Sequence, residues 1–305
     1  MPSRAGIRLK PSRARPLALR ARMTPRLALR MALLESLRHL SANLGGVREG
    51  DDPECVHQAR VALRRLSAAG TAFRPLTRGE AWRSVLREAR EWAGLLGAVR
   101  DLDVMLLETL PAVAPSAWAA QDLSALRKAL EKRRAGMKAR ARAALAPARF
   151  DGWARRLLAL ANQDACIRDG SLPGRRGFAA RSLNRGWKPV RRLTEQWDAL
   201  SVEQRHELRK RAKKLRYAIE FFAHLYPGKR VERCLAPLQL AQQRLGALND
   251  RAAACDMLAQ CAAEWPDLQP SLGQLRLALT AENPEDESRA RSAVRHLSRL
   301  EPFWQ

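Results

Sequence analysis

Residues 56–66 read VHQARVALRRL, and residues 205–215 read RHELRKRAKKL. His57, Arg60, Arg64, Arg65 and Leu66 of the first stretch recur as His206, Arg209, Lys213, Lys214 and Leu215 of the second, each 149 positions on. Phe73 and Phe222 keep that offset, and so do Leu96-Gly97-Ala98 with Asp101 and Leu245-Gly246-Ala247 with Asp250. Three blocks at one spacing, carrying scarce residues such as His and Phe, imply an internal duplication.

Helix is the expected state nearly everywhere. Ala, Leu and Arg dominate, only 5% of residues are aromatic, and runs of Val, Ile and Thr are scarce, so the fold class is all-α, with the two halves as duplicated bundles. Asp52 before Pro53, with Glu54 in the first turn, opens the helix that carries His57, and Pro75 marks its end. Ser201 and Gln204 form a capping-box pattern for the helix that carries His206, and Pro227-Gly228 closes it. Further helical patterns cover 117–146, 178–197 and roughly 286–300. Three glycines and a proline among charges mark 165–177 as a linker. The expected organisation is a basic, partly flexible arm over 1–24, a first half over 25–164, that linker, and a second half over 178–305.

Fifty-six Lys and Arg against thirty-one Asp and Glu leave a formal net charge of +25. Such an excess repels itself and is best tolerated beside an anionic partner, whether nucleic acid, acidic lipid or a phosphate polymer. No apolar stretch reaches membrane length, and residues 1–30 lack the apolar core of a secretory signal. Five cysteines at no zinc-like spacing fit a reducing compartment, so a cytoplasmic location is expected, with no membrane partner.

Each residue of an α-helix turns by about 100°, which puts His57, Arg60 and Arg64 on one stripe, with Ala59, Leu63 and Leu66 opposite. In the second half the stripe is His206, Arg209, Lys213 and Arg216, with Lys214 and Tyr217 at its edge and Leu208, Ala212 and Leu215 behind. No acid interrupts Arg60–Arg65 or Arg209–Lys214, and like charges packed this way favour a bound anion over a merely solvated face. Arg becomes Lys between copies, which suits recognition of charge. Arg181, Arg185, Lys188 and Arg192 form a weaker candidate wall, because Arg20–Arg30 and Arg127–Arg142 are just as basic. Gly97 and Gly246 are expected to let two helices approach closely, and Asp101 and Asp250 to cap a helix or hold a neighbouring Arg. Imidazoles among cations should resist protonation when empty and gain a proton as phosphate arrives.

VHQARVALRRL, LGAVRDLDV at 96–104, LRKRAKKLRYAIEFF at 208–222, LQLAQQRLGALND at 238–250 and the closing PFW together resemble the conserved histidine α-helical domain family, CHAD. The resemblance spans nearly the whole chain after the arm. It implies two pseudo-symmetric four-helix bundles around a basic central groove or pore that binds inorganic polyphosphate, and association with polyphosphate granules. By motif, the binding role falls on His57, Arg60, Arg64, Arg65, His206, Arg209, Lys213, Lys214 and Arg216, with Tyr217 a weaker candidate. Ser67 stands where the family's first repeat usually has another Arg, so the first half should hold its anion less tightly.

No catalytic residue, metal ligand or cofactor is expected, so the chain is read as a binder and not an enzyme. A nucleic-acid binder would need stacking aromatics, and the chain has two Tyr and six Phe, mostly in core patterns. A metal-dependent phosphoanhydride hydrolase would need clustered carboxylates or a Gly-rich phosphate loop, and neither pattern occurs.

Overall fold

The structure, a computed structural model, describes residues 10–17, 19–113, 120–163, 174–280 and 284–305. Cys166, most of the expected linker (165–173) and the start of the pattern over 117–146 lie outside them. Among the described residues every regular element is helical. These are α1 Pro25–Glu49, α2 Pro53–Ala72, α3 Glu80–Val104, α4 Leu110–Val113, α5 Ala120–Ala144, α6 Pro147–Asn162, α7 Arg175–Glu195, α8 Val202–Phe222, α9 Gly228–Glu264, α10 Gln269–Thr280 and α11 Pro284–Ser298. Five π-helical residues, Met105–Thr109, join α3 to α4.

The duplication governs local structure. α2 and α8 begin 149 positions apart, and the 3₁₀ turns that follow them, Arg74–Leu76 and Ala223–Leu225, keep the same offset. The caps differ in chemistry but do the same work. Asp52 accepts from the amide of Glu54 before Pro53, whereas Ser201 and Gln204 form a reciprocal capping box. Each satisfies amides that the first turn leaves without partners, worth about 1 kcal/mol.

The chain divides into two compact units, Met1–Ala18 with Arg26–Glu108 and Lys128–Cys166, and Leu19–Pro25 with Thr109–Arg127 and Ile167–Gln305. Local contacts account for the segments that join the second unit from earlier in the chain. Arg175 donates to the carbonyl of Arg22 at 3.1 Å, and α10 packs against α4.

In the first unit α3 lies between α2 and α6. Ala59, Leu63 and Leu66 of α2 are fully buried, as the stripe requires. Trp92, Phe150 and Trp153 stack α3 on α6, with Trp92 and Trp153 edge to face at 5.0 Å and the Trp153 indole donating to the Val85 carbonyl at 3.0 Å. α5 turns cations inward. Lys138 and Arg142 donate to the Gly50 carbonyl at 3.1 and 3.3 Å, Lys138 also pairs with Asp51, and Arg134 meets the buried Asp103 at 2.5 Å. Positive side chains at the C-terminal end of α1 satisfy carbonyls that a helix leaves open there.

In the second unit α9 packs against α8, α10 and α11, while α7 packs against α8 and α11. Leu208, Ala212 and Leu215 bury the back of α8. The C-terminal Phe303 lies edge to face on Tyr226 at 4.9 Å, and the Trp304 indole donates to Asn184 of α7 at 2.9 Å.

Candidate anion-binding site

The cationic stripe of each half leans on the helix that follows it. In the first unit Arg60 of α2 lies across Gly97 of α3, where a Cβ would come within 3.2 Å of its Nε and Nη2, and its Nη1 is 4.0 Å from Asp101. In the second, Arg209 of α8 lies across Gly246 of α9, where a Cβ would be 3.7 Å from Nη2, and that same nitrogen meets Asp250 at 3.2 Å. The expected close approach of two helices at these glycines is therefore corrected. The missing side chain makes room for a guanidinium. The aspartates hold an Arg and do not cap a helix.

Both arginines are well packed, with side chains only 21% and 15% exposed, so their planes are fixed before any ligand arrives. Arg216 is held as firmly. It donates to Gln242 at 3.0 Å, pairs with Glu220, and sits 4.5 Å over the ring of Tyr217. Tyr217 itself is buried, a platform for Arg216 more than a surface group.

Two predicted residues sit elsewhere on their helices. Arg65 shares the side of α2 that carries Gln58, seven positions before it and so about 20° away around the helix. It lies close enough to the buried His39 of α1 to oppose its protonation. Lys214 belongs to a patch around Glu207, which pairs with Lys210 at 2.8 Å and Arg211 at 2.9 Å and whose carboxyl is held below the usual range by Lys210, Arg211 and Lys214. That face of α8 does carry its own acid. Arg181, Arg185, Lys188 and Arg192 are exposed on α7, but Leu215 is the α8 side chain that faces Gly186 of α7, while Arg209, Arg216 and His206 turn to α9. The α7 wall is thus separate from the α8–α9 cluster.

A sequence model of the CHAD domain matches residues 31–259. The chain belongs to the CHAD family. The crystal structure of the CHAD domain from the plant Ricinus communis is similar to it, with a TM-score of 0.79 and 27% identity over 94% of this chain and 96% of that one. No curated protein compared with the sequence matches it.

The two histidines that open the CHAD repeats sit in poor surroundings for a positive charge. Burial holds His57 below the ordinary 6.5, reinforced by Arg100, Arg60 and Arg64 and opposed by Glu54. Burial does the same to His206, reinforced by Lys210, Arg209 and Lys213 and opposed by Glu207. His206 Nδ1 contacts the side-chain amide of Asn249 on α9.

Sequence reasoning missed Arg100, Asn249 and Gln242 as neighbours of the stripe. Arg100 and Asn249 occupy the same repeat position, beside His57 and His206 respectively, so the offset itself would have found the pair. Among the described residues no group of three or more His, Cys, Asp or Glu side chains is placed to hold a metal ion, and no helix is long and apolar enough to cross a membrane.

Proposed function

We propose that this CHAD protein binds inorganic polyphosphate without catalysis and without a cofactor, through the cationic cluster built in each half. One observation carries the reading: the same guanidinium, seated over a glycine and steered by an aspartate, is built twice, beside a histidine each time. A fixed guanidinium presents its donors to phosphate oxygens with little further ordering, and the Lys and second Arg of each stripe supply charge. Two pseudo-symmetric four-helix bundles around a basic groove, as the family resemblance implied, belong to the same proposal, as do a cytoplasmic location and association with polyphosphate granules.

Calorimetry with polyphosphate of defined length tests it. Neutralising Arg60, Arg64, Arg209 and Lys213 together should weaken binding by several hundredfold, since each lost contact costs about 1 kcal/mol at these solvent-accessible positions. Log affinity should fall linearly with log salt, as it does for nucleic acids. Equal affinity for triphosphate and a long polymer would sink the two-site reading. Nucleic acid, the rival ligand, should lose in direct competition. Phosphate release with Mg²⁺ or Mn²⁺, abolished by Arg209→Ala, would instead favour a hydrolase.

A further inference from the structure

The segment 10–17 precedes the residues matched by the family model and contributes no helix, yet it is fastened to the first unit by side chains buried for that purpose. Asn43 of α1 clasps Ser12 from both sides, accepting from its amide at 3.0 Å and donating to its carbonyl at 2.9 Å. His39, one helical turn earlier, donates from Nε2 to the Ser12 carbonyl at 2.9 Å and to the Gln58 amide oxygen at 3.0 Å. Gln58 in turn donates to Glu54, in the first turn of α2, at 2.7 Å. The backbone N–H of Arg15 also donates to the Glu35 carboxylate at 3.0 Å. His39 and Asn43 are both 0% exposed. Two polar side chains withdrawn from water on one helix are costly unless hydrogen-bonded. The arm backbone supplies bonds to Asn43 and to Nε2 of His39, though Nδ1 of His39 has none among the described residues.

What this docking holds out to solvent is charge. Lys10, Arg13 and Arg15 are exposed, and residues 1–30 contain no Asp or Glu at all. The polar chain from Ser12 through His39 ends on Gln58, on the side of α2 that also carries Arg65, the residue that leaves the His57 stripe. Fixing cations there opposes the field of the basic helix behind them, a cost that an anionic ligand offsets.

We propose that the arm is a third cationic element of the first half-site: Ser12, clasped by Asn43 and His39, positions Lys10 and Arg13 to bind further phosphates of a polymer that α2 already holds. The inference rests on the polyphosphate reading and deepens it. Arg65 then marks the path from the α2 stripe to the arm. Long polymers reach the arm and short ones do not, so the arm contributes to length discrimination.

Calorimetry with polyphosphate of about a hundred units, and with triphosphate, separates the possibilities. Lys10→Ser with Arg13→Ser should weaken the long polymer about tenfold, lower the slope of log affinity against log salt by about 1.5–2, and leave triphosphate unchanged. Asn43→Ala, shown by circular dichroism to remain folded, should give a similar loss with no charge removed. Removing two exposed α5 cations instead, Lys128→Ser with Lys132→Ser, should change affinity less than twofold. Wild-type affinity and salt slope in the arm double variant overturn the arm's role and leave the two half-sites standing. So does wild-type binding by Asn43→Ala, because docking would then position nothing, or an equal loss in the α5 control, because the effect would then be net charge. A wild-type chain that binds no polyphosphate removes the functional reading and this inference together.

Discussion

The two half-sites share a plan and differ in how tightly it is executed. Arg209 meets its aspartate at 3.2 Å, whereas Arg60 stands 4.0 Å from Asp101. The second half adds Arg216, held by Gln242 and Glu220 over Tyr217. At those repeat positions the first half has Ser67, Ala93, Thr71 and Ala68, so neither the guanidinium nor its supports exist there. The first half places Arg100 beside His57 where the second has the neutral Asn249. A charge absent from the first half at one repeat position is thus matched by a charge absent from the second at another.

Removing one half at a time is the sharpest way to break this comparison. Replacing Arg209, Lys213 and Arg216 by Ala should weaken long-polymer binding about a hundredfold, against about tenfold for Arg60 and Arg64, measured by calorimetry at fixed salt. Equal losses would mean that the better-held half is not the stronger one. Next in size, Arg216→Ser should cost about tenfold, while Ser67→Arg should gain only about threefold. The new guanidinium would find no counterpart of Gln242 or Glu220 to hold it, and a tenfold gain would show that charge alone suffices.

Glycine tests the seats themselves. A methyl at Gly97 would press on Arg60 at 3.2 Å, whereas at Gly246 the nearest Arg209 atom lies at an ordinary 3.7 Å. Gly97→Ala should therefore weaken binding about threefold and Gly246→Ala less than twofold. Both substitutions raise helix propensity by up to about 1 kcal/mol, so Gly246→Ala should raise the Tm by about 2 °C.

Proton linkage gives an effect of the same small size. His57 and His206 are held below 6.5 in the empty protein, so the native state binds fewer protons than the unfolded chain, and stability is lost as pH falls below about 6.5. A bound phosphate reverses the sign by favouring imidazolium. Affinity should rise about two- to threefold between pH 7.5 and 6 and flatten in a His57→Gln, His206→Gln variant. An unchanged pH dependence in that variant would remove the histidines from the site.

The Asp52 and Ser201 caps and the apolar backs of α2 and α8 were legible because each depends on residues within a few turns of one another, and the 149-residue offset because it is a match of letters that needs no packing to be seen. The aspartates were half legible. Their motif could be read, but Asp101 and Asp250 stand 41 residues after the arginines they steer, and only the packing of α3 on α2 and α9 on α8 brings the pairs together. Arg65 and Lys214 follow the motif but leave the stripe of their helix. Adjacent residues on a helix point about 100° apart, so a run of basic letters is never one surface.

α5 carries a last consequence. Arg134, Lys138 and Arg142 are engaged by acids and carbonyl ends inside the first unit, so folding leaves them less available to an outside ligand. Denaturation releases them, and a polymer of phosphates then meets a loose chain with all fifty-six of its cations available. A partner that grips the denatured ensemble as well as the native one loses leverage over the melting equilibrium. On the proposed function, melting-temperature shifts should therefore understate the affinity for polyphosphate, and the shift should flatten at a large excess of polymer.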